Sequence, residues 1–86
     1  MASINGLRAY AVVGDEISDV ELSLCLNASV EYVQGAGVPE PDDDSSLYDL
    51  LLYRLATFWL DNRSFPDESD KSYAGISGMI LQLREG

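Results

Sequence analysis

Apolar residues fall into four groups along this chain, and each group has its own period. Between Leu47 and Leu60 nearly every side chain is apolar, with Asp49, Arg54 and Thr57 covering only part of a helical circumference and Asp61 closing the run. This pattern predicts a central helix packed almost all round, with Ser45 or Ser46 as its N-cap and Asp49 at the positive end of its dipole. From Val20 to Tyr32 the apolar residues alternate strictly, which by period alone reads as a strand. The span is long for a strand, however, and Ser18 to Glu21 has the spacing of a capping box, so a helix is the preferred reading. Gly35 and Gly37 then supply its stop.

Wound as a helix, that segment carries two apolar stripes. Val20, Leu24, Ala28 and Tyr32 share one, and Leu22, Leu26, Val30 and Val33 lie roughly opposite. A small domain rarely covers both. One stripe is expected to pack on the chain's own core and the other to meet a second helix or a second subunit. The flanking groups are weaker. Ile4 to Val13 predicts a short first helix through Ile4, Leu7, Tyr10 and Ala11, ended by Gly14-Asp15. Tyr73 to Arg84 predicts a last helix on Ile76, Met79, Ile80 and Leu83, weakened by Gly75 and Gly78 unless docking holds it.

Two acidic loops separate these elements. Val38 to Asp44 contains Pro39 and Pro41, which exclude a helix, and Asn62 to Ser72 holds Pro66, Asp67, Glu68 and Asp70 and reads as a mobile surface loop. The expected fold is thus a single all-α domain over residues 1–86, a small bundle of three to four helices with two acidic loops. At 86 residues it should be marginal alone, because so short a chain buries only about 60 to 65% of the surface its unfolded form exposes.

Charge narrows the function classes. The net charge is −10, from 15 acidic and 5 basic residues, and the basic residues are scattered, which argues against direct binding to nucleic acid. Histidine is absent and Cys25 is the only cysteine, so an internal disulfide, a Cys/His zinc site and a Cys-His nucleophile pair are excluded. Cys25 reads as a small, partly buried hydrophobe in a reduced, intracellular setting. The N-terminus has no secretory pattern, and the Leu50 to Leu60 run is too short to span a bilayer.

Candidate chemistry is sparse. If Asp42 opened a calcium loop, Leu47 would stand where the turn glycine belongs and Tyr53 where the bidentate glutamate belongs, so the loop reads as solvated. Gly35-Ala36-Gly37 lacks the Lys-Ser or Lys-Thr of a phosphate loop. No nucleophile has a base beside it, so no enzyme and no cofactor is expected. Tyr53, Phe58 and Trp59 read as core, and Arg54 as a snorkelling or ion-paired side chain, within the chain or across an interface.

Several pieces, taken in order, resemble the phage head-tail connector family, small proteins also described as DNA-packaging proteins. Leu7-Arg8-Ala9-Tyr10 is similar to that family's opening helix, and Ala28 to Val33 to the end of its first long helix. Leu50 to Arg63, with its aromatic pair and Asn62-Arg63, resembles the central helix. Ile76 to Arg84 is similar to the terminal helix, although a glutamate stands between Arg84 and Gly86 where the family's Gln-Leu-Arg-Gly ending has none.

The resemblance implies a virion structural protein made in the bacterial host cytoplasm. It would form a ring of about a dozen copies beneath the portal, between portal protein and a tail or stopper protein, with DNA passing through and no membrane partner. On that reading Leu22, Leu26 and Val30 would form one subunit contact, Arg54, Arg63 and Arg84 would pair with acidic neighbours, and Asp42, Asp43 and Asp44 would line the lumen. The alternative is a small acidic inhibitor or DNA mimic, which needs paired rows of carboxylates on a regular element.

Overall fold

The computed structural model describes residues 2–42, 45–67, 71 and 73–85. Among them the chain forms four helices and no strand: α1 (Ile4–Ala11), α2 (Asp19–Gly35), α3 (Ser46–Asn62) and α4 (Tyr73–Glu85). The expected small all-α bundle is the observed architecture. α3 is its centre and packs against each of the other three, while α1 and α2 also pack on each other.

Capping places the helix starts as the sequence predicts. Ser18 Oγ accepts from the Glu21 amide at 3.2 Å and Ser45 Oγ from the Tyr48 amide at 3.2 Å. In each case this satisfies one of the amides that a helix start leaves without an intrahelical partner. Ser3 does the same for α1 through the Gly6 amide at 3.0 Å. The return half of the expected capping box does not form, because the Glu21 carboxylate is engaged by Arg63.

At its other end α2 stops as a Schellman-type turn. Gly37 adopts φ 94°, a conformation that favours glycine, while the Val38 amide bonds the Val33 carbonyl at 3.0 Å and Val38 tucks into the core. α3 stops instead on Arg63 at φ 57°, a left-handed residue without glycine's freedom, whose amide bonds the Trp59 carbonyl at 2.6 Å.

The buried residues of α2 are Leu22, Cys25, Leu26, Ser29 and Val33, a helical period that strict alternation concealed. Ser29 belongs to that face because its hydroxyl donates to the Cys25 carbonyl at 2.8 Å, which removes the cost of burying it. α3 buries Tyr48, Leu51, Leu52, Leu55 and Ala56. Leu50 on α3 is exposed, so this helix is not covered all round as its composition suggests. Leu7 of α1, Val38 and Ile76 of α4 complete one hydrophobic cluster.

Polar links fix the helices to one another. Arg8 on α1 donates to the carbonyls of Gly14 and Ile17 and pairs with Asp19 at 2.7 Å, holding the α1–α2 connection against the start of α2. The Tyr53 hydroxyl of α3 accepts from the Ser3 amide at 3.0 Å, and Gly6 allows that close approach, since a Cβ there would run into the hydroxyl.

The stretch after α3 differs from the expected mobile loop. Pro66 is buried, its carbonyl accepts from the Tyr32 hydroxyl at 3.3 Å, and the rings of Phe65 and Tyr32 lie 5.0 Å apart. Phe65 gives this segment an apolar anchor on α2.

Candidate functional site

Besides single exposed apolar residues such as Val12, Leu50 and Leu81, two open surfaces stand out among the described residues. The first is one side of α2, where Val20 is 70% and Leu24 is 64% exposed, one helical turn apart. The opposite side is closed, with Leu22 at 0% exposure.

This inverts the expected assignment of the two stripes. Leu22 lies in the core of its own chain with no exposed surface and Leu26 is nearly as buried, so Leu22 cannot form a subunit contact without opening the fold, while Val30 is half-buried against that core. The α1 and α3 faces that pack on α2 decide which stripe is covered, and α2's own pattern carries no record of them. Tyr32, placed by period on the outer stripe, is drawn inward by Phe65 and Pro66.

The basic residues expected at an interface also have work within the chain. Arg63 pairs with Glu21 and its guanidinium carbon stands 4.9 Å above the Trp59 ring, joining the end of α3 to the start of α2. Arg54, exposed on α3, lies against Gly75 of α4 and its Nη1 reaches the Met79 sulfur at 3.8 Å. The guanidinium end of Arg84 lies over Gly37, bringing the end of α4 to the end of α2.

The second open surface is a cleft of about 210 Å³ between α2 and the start of α3. Leu26, Val30 and Leu52 supply apolar lining, and Glu40, Asp42 and Asp49 bring carboxylates to it. Tyr48 also lines it, is only 6% exposed, and its hydroxyl has no hydrogen-bond partner among the described residues. Sequence reasoning assigned Tyr48 no role, because an aromatic at helical spacing gives no sign that its hydroxyl will be left unmatched. Asp42, expected in an acidic lumen loop, is exposed; Asp43 and Asp44 lie outside the described residues. Among the described residues no group of three potential metal ligands converges, and no helix is long and apolar enough to cross a membrane.

Burial shifts three weak acids the same way. Desolvation, then the charges of Glu40 and Asp49, push the Tyr48 phenol above its ordinary value. Tyr32 rises through desolvation, then Tyr73 and Asp67, and Cys25 through desolvation and then Glu21, with Arg63 opposing. The folded chain therefore resists ionisation that the unfolded chain undergoes near pH 9.0 for the thiol and 10.0 for the phenols. Stability from these groups is complete below that range and is lost as pH rises through it towards the folded values. Urea midpoints should fall steeply on the alkaline side, and Tyr48→Phe should make the fall shallower. The raised, buried Cys25 thiol also fits a packing role.

No family model, curated protein or solved structure matches this chain.

Proposed function

We propose that the chain is a structural subunit of a phage head-tail connector, assembling as a ring of about a dozen copies beneath the portal through which DNA passes. The observation that carries this reading is the two-sidedness of α2: Leu22, Leu26 and Val33 are buried while Val20 and Leu24 on the other side are uncovered. Subunits in a ring present two different patches to their neighbours, and an uncovered aliphatic pair on a long, well-anchored helix suits one of them. The ordered resemblance of Leu7 to Tyr10, Leu50 to Arg63 and Ile76 to Arg84 to that family adds to it. The charge of −10 gives the lumen a use for its carboxylates, because a negative wall repels the duplex and lets it slide.

The rival reading, an acidic inhibitor or DNA mimic, has less support. Of the carboxylates on α2, Asp19 pairs with Arg8 and Glu21 with Arg63, and Glu31 stands almost three turns further on, which makes no paired row.

Native mass spectrometry and negative-stain imaging over a concentration series, with and without portal protein, test the proposal. A closed ring in either condition is the expected result, and Val20→Asp with Leu24→Asp should abolish it in a chain that still folds. A monomer in both conditions would overturn the connector reading.

A further inference from the structure

We propose that the outer face of α4 receives the uncovered side of α2 from a second copy of this chain, with Glu31 of one copy set against Arg84 of the next. The inference rests on the ring reading and supplies the second of the two patches that a contact between ring neighbours needs. Complementary charge and shape carry it. On α2, at about 100° per residue, Val20, Leu24, Asn27 and Glu31 fall on one exposed line opposite Leu22. Glu31 is the charged residue of that line, and no ion pair engages it among the described residues. On α4, Ala74, Gly78 and Leu81 lie away from the buried Ile76 and are exposed, Leu81 at 53%. Arg84 stands at the end of this face, also exposed. Within the chain Arg8 has Asp19, Arg63 has Glu21 and Arg54 has the Met79 sulfur, whereas the Arg84 guanidinium rests on Gly37 and meets no carboxylate among the described residues.

Laid parallel, the two faces agree in register. Leu24 to Glu31 spans about 10 Å along a helix, and Gly78 to Arg84 about 9 Å. With Leu24 over Gly78, Val20 falls over Ala74 and Glu31 comes within reach of Arg84. Two branched side chains then meet two positions with little or no side chain, which lets the helices approach closely. Space is available, since a Cβ built on Gly78 meets nothing within 4 Å in its own chain. The occupant is a second copy because one chain carries both halves of the match, the apolar pair with its carboxylate and the open face with its guanidinium. Two copies carrying −10 each repel at long range, but salt screens that repulsion beyond about 8 Å at physiological ionic strength. At contact the faces bring an unpaired acid to an unpaired base. They sit on different helices, so the contact is heterologous and passes from copy to copy.

Mixing two dead-ended copies of the full chain tests the contact, read by sedimentation and native mass. One copy carries Val20→Asp with Leu24→Asp and keeps its α4 face; the other carries Gly78→Glu and keeps its α2 face. Both should stay folded by circular dichroism, because all three positions are exposed and glutamate is the better helix former at Gly78. Each alone should be monomeric, and an equimolar mixture should give a one-to-one dimer that grows no further. In the otherwise unchanged chain, Glu31→Arg or Arg84→Glu alone should weaken assembly about tenfold or more by setting like charges together, and the two combined should restore it. A mixture that stays monomeric would overturn the proposal, as would self-assembly of the Gly78→Glu copy or a combined charge swap no better than either half. The two readings fail separately. Rings that survive Gly78→Glu keep the connector and overturn this contact, whereas a mixed dimer beside an unmodified chain that forms only open filaments keeps the contact and overturns the ring.

Discussion

Leu22→Asp unfolds the chain, whereas Leu24→Asp, two residues away on the same helix, leaves it folded. Leu22 has no exposed surface and sits where α2 meets the rest of the bundle, so the substitution removes a buried side chain worth about 2 to 3 kcal/mol and puts a carboxyl in its place. Whether that carboxyl stays charged or takes up a proton, it lacks partners in an apolar cluster, and a total cost of about 5 kcal/mol is expected. A chain of 86 residues has roughly 4 to 13 kcal/mol to lose at typical values per residue, so the variant falls at or beyond the unfolding threshold. Leu24 is two-thirds exposed, and its aspartate stays in water at a cost within about 0.5 kcal/mol. Far-UV circular dichroism and urea titration of the two variants decide the matter. The opposite pattern, a folded Leu22→Asp and an unfolded Leu24→Asp, would mean that the stripes of α2 are reversed in solution.

That contrast marks how far the sequence could be read. The starts of α2 and α3 were legible because Ser18 and Ser45 each sit where a helix leaves amides unpaired, a rule that depends on only four adjacent residues. The helical state of α2 was legible for the same reason, even though its apolar residues alternate. Which side of α2 faces inward was not legible, because Val20-Leu24 and Leu22-Leu26 are chemically equivalent until α1 and α3 choose between them. Ser29 illustrates the same limit: its burial depends on a back-bond to Cys25 that needs the helix to exist first.

The candidate sites show a sharper divide. Arg63 was legible as a special residue, but the pair it makes within the chain was not, since the Glu21 that it engages lies 42 positions away and had a capping role available locally. Phe65 and Pro66 were hidden in a stretch rich in acidic residues, where composition pointed to solvent and a single aromatic contact with Tyr32 decided otherwise. The cleft was invisible because its lining comes from both sides of the Val38 to Asp44 loop, and because an unmatched hydroxyl is a property of the packed fold.

Ile76→Ala should release α4 while the other three helices stay folded. α4 makes its main packing on α3, and Ile76 is its one fully buried hydrophobic residue among those described, with Met79, Ile80 and Leu83 only half-buried. A helix of 13 residues containing two glycines does not persist in water without docking, because nucleation is costly and each glycine costs about 1 kcal/mol relative to alanine. Truncating Ile76 removes about 2 kcal/mol or more of the docking energy, which corresponds to a rise of at least about 30-fold in the exchange rate of α4 amides. Amides in α3, held by Leu51, Leu52, Leu55 and Ala56 against α1 and α2, should keep their protection. The two glycines separate cause from coincidence. At Gly75 a Cβ would stand 3.0 Å from an Arg54 nitrogen, whereas at Gly78 nothing lies within 4 Å, so Gly78→Ala adds helix propensity without a clash. It should slow α4 exchange about fivefold alone and restore part of the protection lost in Ile76→Ala. Loss of protection throughout the chain in Ile76→Ala would instead make α4 part of the cooperative core. In that event any ring contact made through α4 would share the stability of the whole bundle rather than being free to dock and undock.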